Sequence, residues 1–328
     1  MKWDTNLIRL FFIFVVLVTS SFSKDLVELY LQGDKEKIEK YFENKLITKE
    51  YWNKKLSNSD YRYGYYENSK TVLVACKECL TLKYFDINGT IKQINDFNAT
   101  FGKVSGDKYV EGDLKTPVGV YEFVNKLSGK SLDQYYGPAA FVTNYPNLFD
   151  KVLEKNGYGI WLHGYPLNGD RDDLKTKGCI AVENNYLTFI ENIIDYKNSI
   201  IIVNEKRELT TSKEELVSIL VEVFKWRKAW KESDIESYMS FYSKDFQRRD
   251  GLKYDKFKIF KKGIFDRNEF VELFVEDLEI VPYPNSVGKK IFRVKFLEDY
   301  KSNLHSFRGY KELYVEKIGQ QIKILVES

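Results

Sequence analysis

Apolar and polar positions fall into three regimes along the 328 residues. From Lys24 to Tyr66 the apolar residues recur at helical spacing, with Leu26, Leu29 and Tyr30 on one face and then Ile38, Tyr41, Phe42 and Leu46. The middle holds short apolar runs that predict strands at Thr71 to Ala75, Leu80 to Asp86, Thr116 to Val124 and Ser199 to Val203. Another run, Ile160 to Leu162, reads as a buried strand, and Ile180 to Ile194 reads as a helix. Beyond Glu205 the period changes again. Ser212 with Glu215 forms a capping box ahead of Leu216, Ile219, Leu220, Val223, Phe224, Trp226 and Trp230. A short helix through Ile235 to Tyr242 follows, then β-rich segments at Phe270 to Pro282, Lys289 to Tyr300, Ser306 to Lys317 and Gln321 to Val326. The fold class is therefore α+β, with a mostly-β centre. The units expected are 1–23, 24–68, 69–204 and 205–328.

The first unit is a leader. A charged start (Lys2, Arg9) precedes the apolar run Leu10 to Val18 and the small residues Ser21 to Ser23. That run is short for a bilayer span, so a cleaved signal peptide is expected and the mature chain is placed in the periplasm, with an uncleaved anchor as the alternative. The helical unit 24–68 cannot bury its apolar face alone. It must pack on the central unit or on a second copy in a homodimer. A net charge of +3 with interspersed signs argues for no nucleic-acid partner. With 43% apolar and 16% aromatic residues, real cores are affordable and disorder is not expected.

Candidate chemistry concentrates between Tyr158 and Ala181, which contains His163, one of two histidines, and Cys179, the last of three cysteines. A neighbouring imidazole stabilises thiolate, and a cysteine at a helix mouth gains from the dipole. The other cysteines form Cys76-Lys77-Glu78-Cys79 at a strand turn. No second Cys/His cluster accompanies them, so zinc is discounted and no metal is expected. Two small buried residues flanking a turn is preferred over a disulfide, which a tight hairpin would strain. His305 reads as a structural residue in a strand.

The residues His163-Gly164 and Thr176-Lys177-Gly178-Cys179-Ile180, preceded by Thr116-Pro117-Val118-Gly119-Val120-Tyr121, resemble the L,D-transpeptidase (YkuD-type) family over about residues 70 to 203. The resemblance implies a cysteine enzyme acting on peptidoglycan stem peptides without a cofactor. Cys179 would be the nucleophile, His163 the base and the Gly164 carbonyl its orienting acceptor. Backbone N–H groups near Gly178 and Cys179 would hold the oxyanion, with Thr176 bonding in the loop or to substrate, and Trp161 and Tyr158 near the substrate. Members usually carry Arg two residues after the cysteine, whereas this chain has Ala181. Arg suits carboxylate recognition, so the departure favours a carboxypeptidase over a cross-linking transpeptidase; a non-catalytic wall-binding scaffold is the third reading. The whole arrangement is similar to the cell-shape-determining L,D-carboxypeptidases of helical Gram-negative bacteria. The last unit resembles the NTF2-like cone through Trp226 to Tyr242 and its closing strands, implying a concave face for a small ligand, a glycan or a partner. Asp86 to Thr90 and Asp96 to Thr100 are similar to the acceptor sequence of bacterial N-glycosylation, at Asn88 and Asn98, but ordinary turn chemistry is the preferred reading.

Overall fold

The computed structural model describes residues 26–57, 60–88, 91–169, 175–267 and 269–328. The expected leader lies outside the described residues. After a helical stretch at 26–31 come helices α1 (Lys35–Leu46) and α2 (Lys49–Lys55), each opened by a side-chain cap, Asp34 and Thr48. A two-residue strand, β1 (Tyr65–Tyr66), follows.

The central unit is a closed barrel. Its strands are β2 (Lys70–Cys76), β3 (Thr81–Ile87), β4 (Ile91–Thr100), β5 (Gly119–Ser128), β6 (Ala139–Thr143), β7 (Trp161–His163), β8 (Ile180–Val182) and β9 (Ser199–Asn204), closing in the order β2-β3-β4-β8-β7-β6-β5-β9. Helix α3 (Leu148–Val152) lies between β6 and β7, and α4 (Asn184–Ile193) between β8 and β9. Strands β2 and β9 read as unbroken apolar runs because both their faces are covered. Leu73, Ala75, Ile201 and Val203 join the barrel interior with Phe97, Tyr121, Phe141 and Leu162. Val72, Val74, Ile200 and Ile202 pack outward against Tyr283, Tyr314 and Val326 of the C-terminal unit. A strand buried on both sides has no polar alternation to show.

The C-terminal unit comprises α5 (Lys213–Lys231), α6 (Ile235–Ser240), β10 (Tyr242–Arg248), α7 (Tyr254–Phe265) and the long strands β11 (Val271–Tyr283), β12 (Ile291–Ser302), β13 (Ser306–Ile318) and β14 (Gln321–Glu327). The expected capping box is present: Glu215 N–H donates to Ser212 Oγ and Ser212 N–H to Glu215 Oε2. Its sheet runs β1-β11-β12-β13-β14-β10, so β1 belongs to this sheet and not to the barrel. Strand β10 and helix α7 fall where sequence patterning showed nothing regular.

Three expectations are corrected. The N-terminal helices pack on the C-terminal unit and not on the barrel: Trp52 stacks on Phe224 at 5.3 Å, and Trp52 and Leu56 share a core with α5. Glu43 pairs with Arg227 and Lys231 of the same helix. Cys76 and Cys79 are joined in a disulfide, their Cα atoms 5.1 Å apart, inside the range a bridge spans. Asp96 to Thr100 lies within β4 and forms no turn, although Asn88 and Asn98 are both exposed.

The two units meet through a buried ionic joint. Glu122 of β5 accepts from Arg293 and Lys295 of β12. Burial alone would raise the Glu122 carboxyl, but the two cations overcome it and hold it down at about 2. Nearby, Ser286 Oγ donates to Asp107 Oδ2 at 2.7 Å, and Lys155 Nζ bridges Asp107 and Asp150 at 2.7 and 2.9 Å.

Candidate active site

His163 closes β7 and is almost wholly buried. Its Nδ1 lies 2.6 Å from the Gly164 carbonyl oxygen. A carbonyl can only accept, so Nδ1 carries the proton of the neutral ring and Nε2 is left as the basic nitrogen. The ring is clamped edge-on by Tyr136, with centroids 5.1 Å apart, and Tyr136 in turn packs on Trp161 at 4.8 Å. Burial, with the Cys179 charge adding to it, pushes the Tyr136 phenol above its ordinary value, so it is a neutral donor at physiological pH.

Gly164 has no room for a side chain. A Cβ there would stand 2.2 Å from Asn184 Oδ1 and 3.0 Å from Pro138 Cδ. The same Asn184 oxygen accepts from Tyr165 N–H at 2.8 Å, which pins the backbone immediately after the histidine. Gly164 N–H donates to the Tyr136 carbonyl at 2.9 Å, so the tyrosine segment fixes both the ring and the carbonyl that orients it.

Cys179 is half-buried, and its thiol lies 3.3 Å from the Gly159 carbonyl oxygen. The turn before it is held by Thr176, whose hydroxyl donates to the Cys179 carbonyl at 2.6 Å and accepts from Gly178 N–H at 3.0 Å. Thr176 is itself anchored to the barrel by its N–H to the Phe101 carbonyl at 2.9 Å. Gly178 has φ of 137°, a region closed to side chains, and a Cβ would sit 2.9 Å from the Lys115 carbonyl.

Parallel strands β7 and β8 bring the two candidate groups together, with His163 in register with Ala181 and Leu162 with Ile180. Residues 179, 181 and 163 therefore share a face. This corrects the expected helix at Ile180. Ile180–Val182 is a buried strand between β4 and β7, and α4 begins only at Asn184. The thiol thus sits at a strand start, and the helix dipole plays no part in activating it.

A cleft of about 380 Å³ opens over the thiol, lined by His163, Cys179, Tyr136, Tyr158, Glu111 and Lys177 among others. Tyr158 stands exposed on its rim, whereas Trp161 contacts the site through Tyr136. Thr176 is spent within its loop, and so is the Gly178 amide, which removes Gly178 N–H from the expected oxyanion pair. Sequence reasoning missed the contact of Tyr136 with the His163 ring, Asn184 and the Gly159 carbonyl. The Tyr135-Tyr136-Gly137-Pro138 stretch was a visible signal for the first; a backbone carbonyl has none. Among the described residues no group of His, Cys, Asp and Glu could hold a metal.

A second cavity, also of about 380 Å³, lies in the C-terminal unit and is lined by Trp230, Arg248, Lys261, Tyr300, His305 and Lys311 among others. His305 is exposed at the β12–β13 turn on its rim, not in a strand. Lys311 pairs with Glu327 at 2.8 Å, and Lys261 lies buried with its ammonium 4.1 Å above the Trp230 ring. Burial lowers the Lys261 ammonium to about 8. Of the residues from Trp226 to Arg249, Trp230 and Arg248 line this cavity, while Trp226, Tyr238 and Tyr242 are core.

A barrel that presents a histidine oriented by a carbonyl beside a cysteine on a glycine turn is the L,D-transpeptidase catalytic domain, and residues 69–203 match that domain while 218–328 match the Cds6 C-terminal NTF2-like domain. Helical cell shape determining protein Pgp2 from Campylobacter jejuni is similar at 39% identity and a TM-score of 0.80, over 86% of this chain and 99% of that one. Bd1075 from Bdellovibrio bacteriovorus is similar at 30% identity and a TM-score of 0.65, over 82% of this chain and 96% of that one. No curated protein matches the chain. The chain belongs to the L,D-transpeptidase family, in the two-domain form that carries an NTF2-like unit. Its catalytic domain is that of a cysteine-dependent enzyme acting on peptidoglycan.

Proposed function

We propose that this protein is an L,D-carboxypeptidase that removes the terminal D-alanine from tetrapeptide stems to leave tripeptides, and that it thereby affects cell shape. The observation that carries the reading is Ala181. It is fully buried and in register with His163, so the face that holds both candidate groups bears a methyl where transpeptidase members usually carry Arg, a residue suited to carboxylate recognition. A poorly held acceptor leaves water to resolve the acyl-enzyme. Pgp2, the helical cell shape determinant, is similar over nearly its whole length and supports the link to shape.

In this mechanism His163 Nε2 takes the Cys179 proton, and the thiolate attacks the carbonyl that joins the diamino acid to D-alanine. The oxyanion is held by backbone N–H at Cys179. His163 returns the proton to the departing amine, D-alanine leaves, and a thioester remains. Water, deprotonated by the same nitrogen, attacks the thioester and regenerates the thiol. Neutral Tyr136 and the Gly164 carbonyl keep the ring aimed through both halves.

The chain acts in the periplasm after removal of residues 1–23, where the Cys76–Cys79 bridge is stable. The cavity of the NTF2-like unit takes a small ligand or glycan. Association of two copies would use the exposed Tyr30 and Leu31 at residues 26–31. The test is mass spectrometry of muropeptides incubated with wild type and with Cys179→Ala. Tripeptide and free D-alanine from the wild type alone establish the carboxypeptidase. Cross-linked dimers or exchanged D-amino acids make it a transpeptidase, and bound but unturned stems make it a scaffold.

A further inference from the structure

A carboxypeptidase must recognise the free carboxylate of the residue it releases, and Ala181 leaves no cation on the strand face where relatives place one. The cleft supplies another. Two lysines line it, Lys108 and Lys177. Lys108 is buried and committed, its ammonium 2.8 Å from Asp113 Oδ1 and 2.9 Å from the Val110 carbonyl. Lys177 is exposed, enters no ion pair among the described residues, and sits two residues before Cys179 on the turn fixed by Thr176 and Gly178.

We propose that Lys177 is the specificity residue that binds the terminal α-carboxylate of the stem, replacing the Arg that the family places two residues after the cysteine. The proposal rests on the carboxypeptidase reading. The geometry suits it. The α-carboxylate lies one carbon beyond the scissile nitrogen, and residue 177 is at most about 7 Å in Cα distance from 179. That span is within reach of a lysine side chain. The turn beneath is rigid, so the ammonium is presented from a fixed base. Glu111, exposed on the same cleft and without an ion pair among the described residues, would repel a carboxylate and attract an ammonium. The cleft thus has a positive and a negative side, and a stem that ends in a carboxylate and bears an ammonium on its diamino acid can lie across it in one direction. A flexible lysine gives a weaker, less directional hold than a bidentate Arg, which suits release of a small amino acid after each turnover.

The experiment measures steady-state release of the terminal residue by wild type, Lys177→Gln and Lys177→Arg. Each is given a disaccharide tetrapeptide ending in D-alanine and the same stem ending in D-alaninamide. Wild type is expected to favour the carboxylate by about tenfold or more in kcat/KM, the scale of a charge-assisted contact. In Lys177→Gln that preference falls to within about threefold through a higher KM, with kcat little changed, and Lys177→Arg restores it. Because Lys177 is exposed, all three fold alike. If wild type releases D-alanine and Lys177→Gln keeps both its KM and its preference, the Lys177 assignment is overturned and the carboxypeptidase stands. If wild type releases none from either stem, the carboxypeptidase reading falls and takes the assignment with it.

Discussion

Replacing Lys261 with Met should stabilise the protein at neutral pH, and the gain should fade as the solution becomes alkaline. The Lys261 ammonium is buried in the NTF2-like unit with no carboxylate bonded to it among the described residues, and burial lowers it from 10.5 to about 8. Below pH 8 the charged form is held in both folded and unfolded chains, and the folded chain bears the full penalty. Between pH 8 and 10.5 the folded chain releases the proton first, so the unfolded state binds more protons and stability rises with pH. The gap corresponds to roughly 3 kcal/mol. The Trp230 face, 4.1 Å away, offsets part of it, since a desolvated cation–π contact contributes up to about 2 kcal/mol. Lys261→Met keeps the stem volume and leaves Glu327 with Lys311 and with the Tyr242 hydroxyl at 2.6 Å. Urea unfolding at pH 7 should therefore show a gain of about 1–3 kcal/mol, shrinking to under about 1 kcal/mol at pH 10. A difference between the two proteins that does not change with pH, or a loss at pH 7 larger than at pH 10, would refute the reasoning.

The joint between the units should respond in the opposite sense. Glu122 is held down at about 2 against an ordinary 4.5, so its contribution is present above pH 4.5 and lost as pH falls toward 2. Glu122→Gln should cost about 2 kcal/mol at pH 7, allowing for partial exposure, and the cost should vanish near pH 2, read by thermal unfolding across that range. At the active site, Gly164→Ala forces a methyl to 2.2 Å from Asn184 Oδ1. Overpacking of that order costs about 1–3 kcal/mol, and because the displaced carbonyl orients His163, release of D-alanine should fall at least about tenfold; unchanged turnover would mean that another group aims the ring.

The sequence made the site legible because its residues are chemically rare and closely spaced. His163 and Cys179 line one cleft, the Gly164 carbonyl lies against His163 Nδ1, and the capping box at Ser212 marked the start of α5. What stayed hidden depends on contacts distant in the chain. Ile180–Val182 carries apolar residues that also fit a helix, and only pairing with β4 and β7 decides for a strand. Tyr65 and Tyr66 read as the tail of a helical unit because nothing local announces a partner more than two hundred residues away. The role of Tyr136 rests on ring-to-ring distance, and that of Gly159 on a carbonyl shared by every residue type.

The pairing of β1 with β11 makes the barrel an insertion. The described amino-terminal helices belong with the C-terminal unit; the chain leaves that unit after Tyr66, builds the enzyme, and returns at Thr211, whose N–H donates to the Arg62 carbonyl at 3.0 Å. The excursion therefore begins and ends at one place, like a loop of rope with both ends knotted to the same post. A single protease nick between 205 and 210 would not free the enzyme, since the outgoing strand still ties it down. Removing the amino-terminal helices, by contrast, would strip Trp52 from Phe224 and Glu43 from Arg227. The damage from a truncation at the front of the protein would appear at its back.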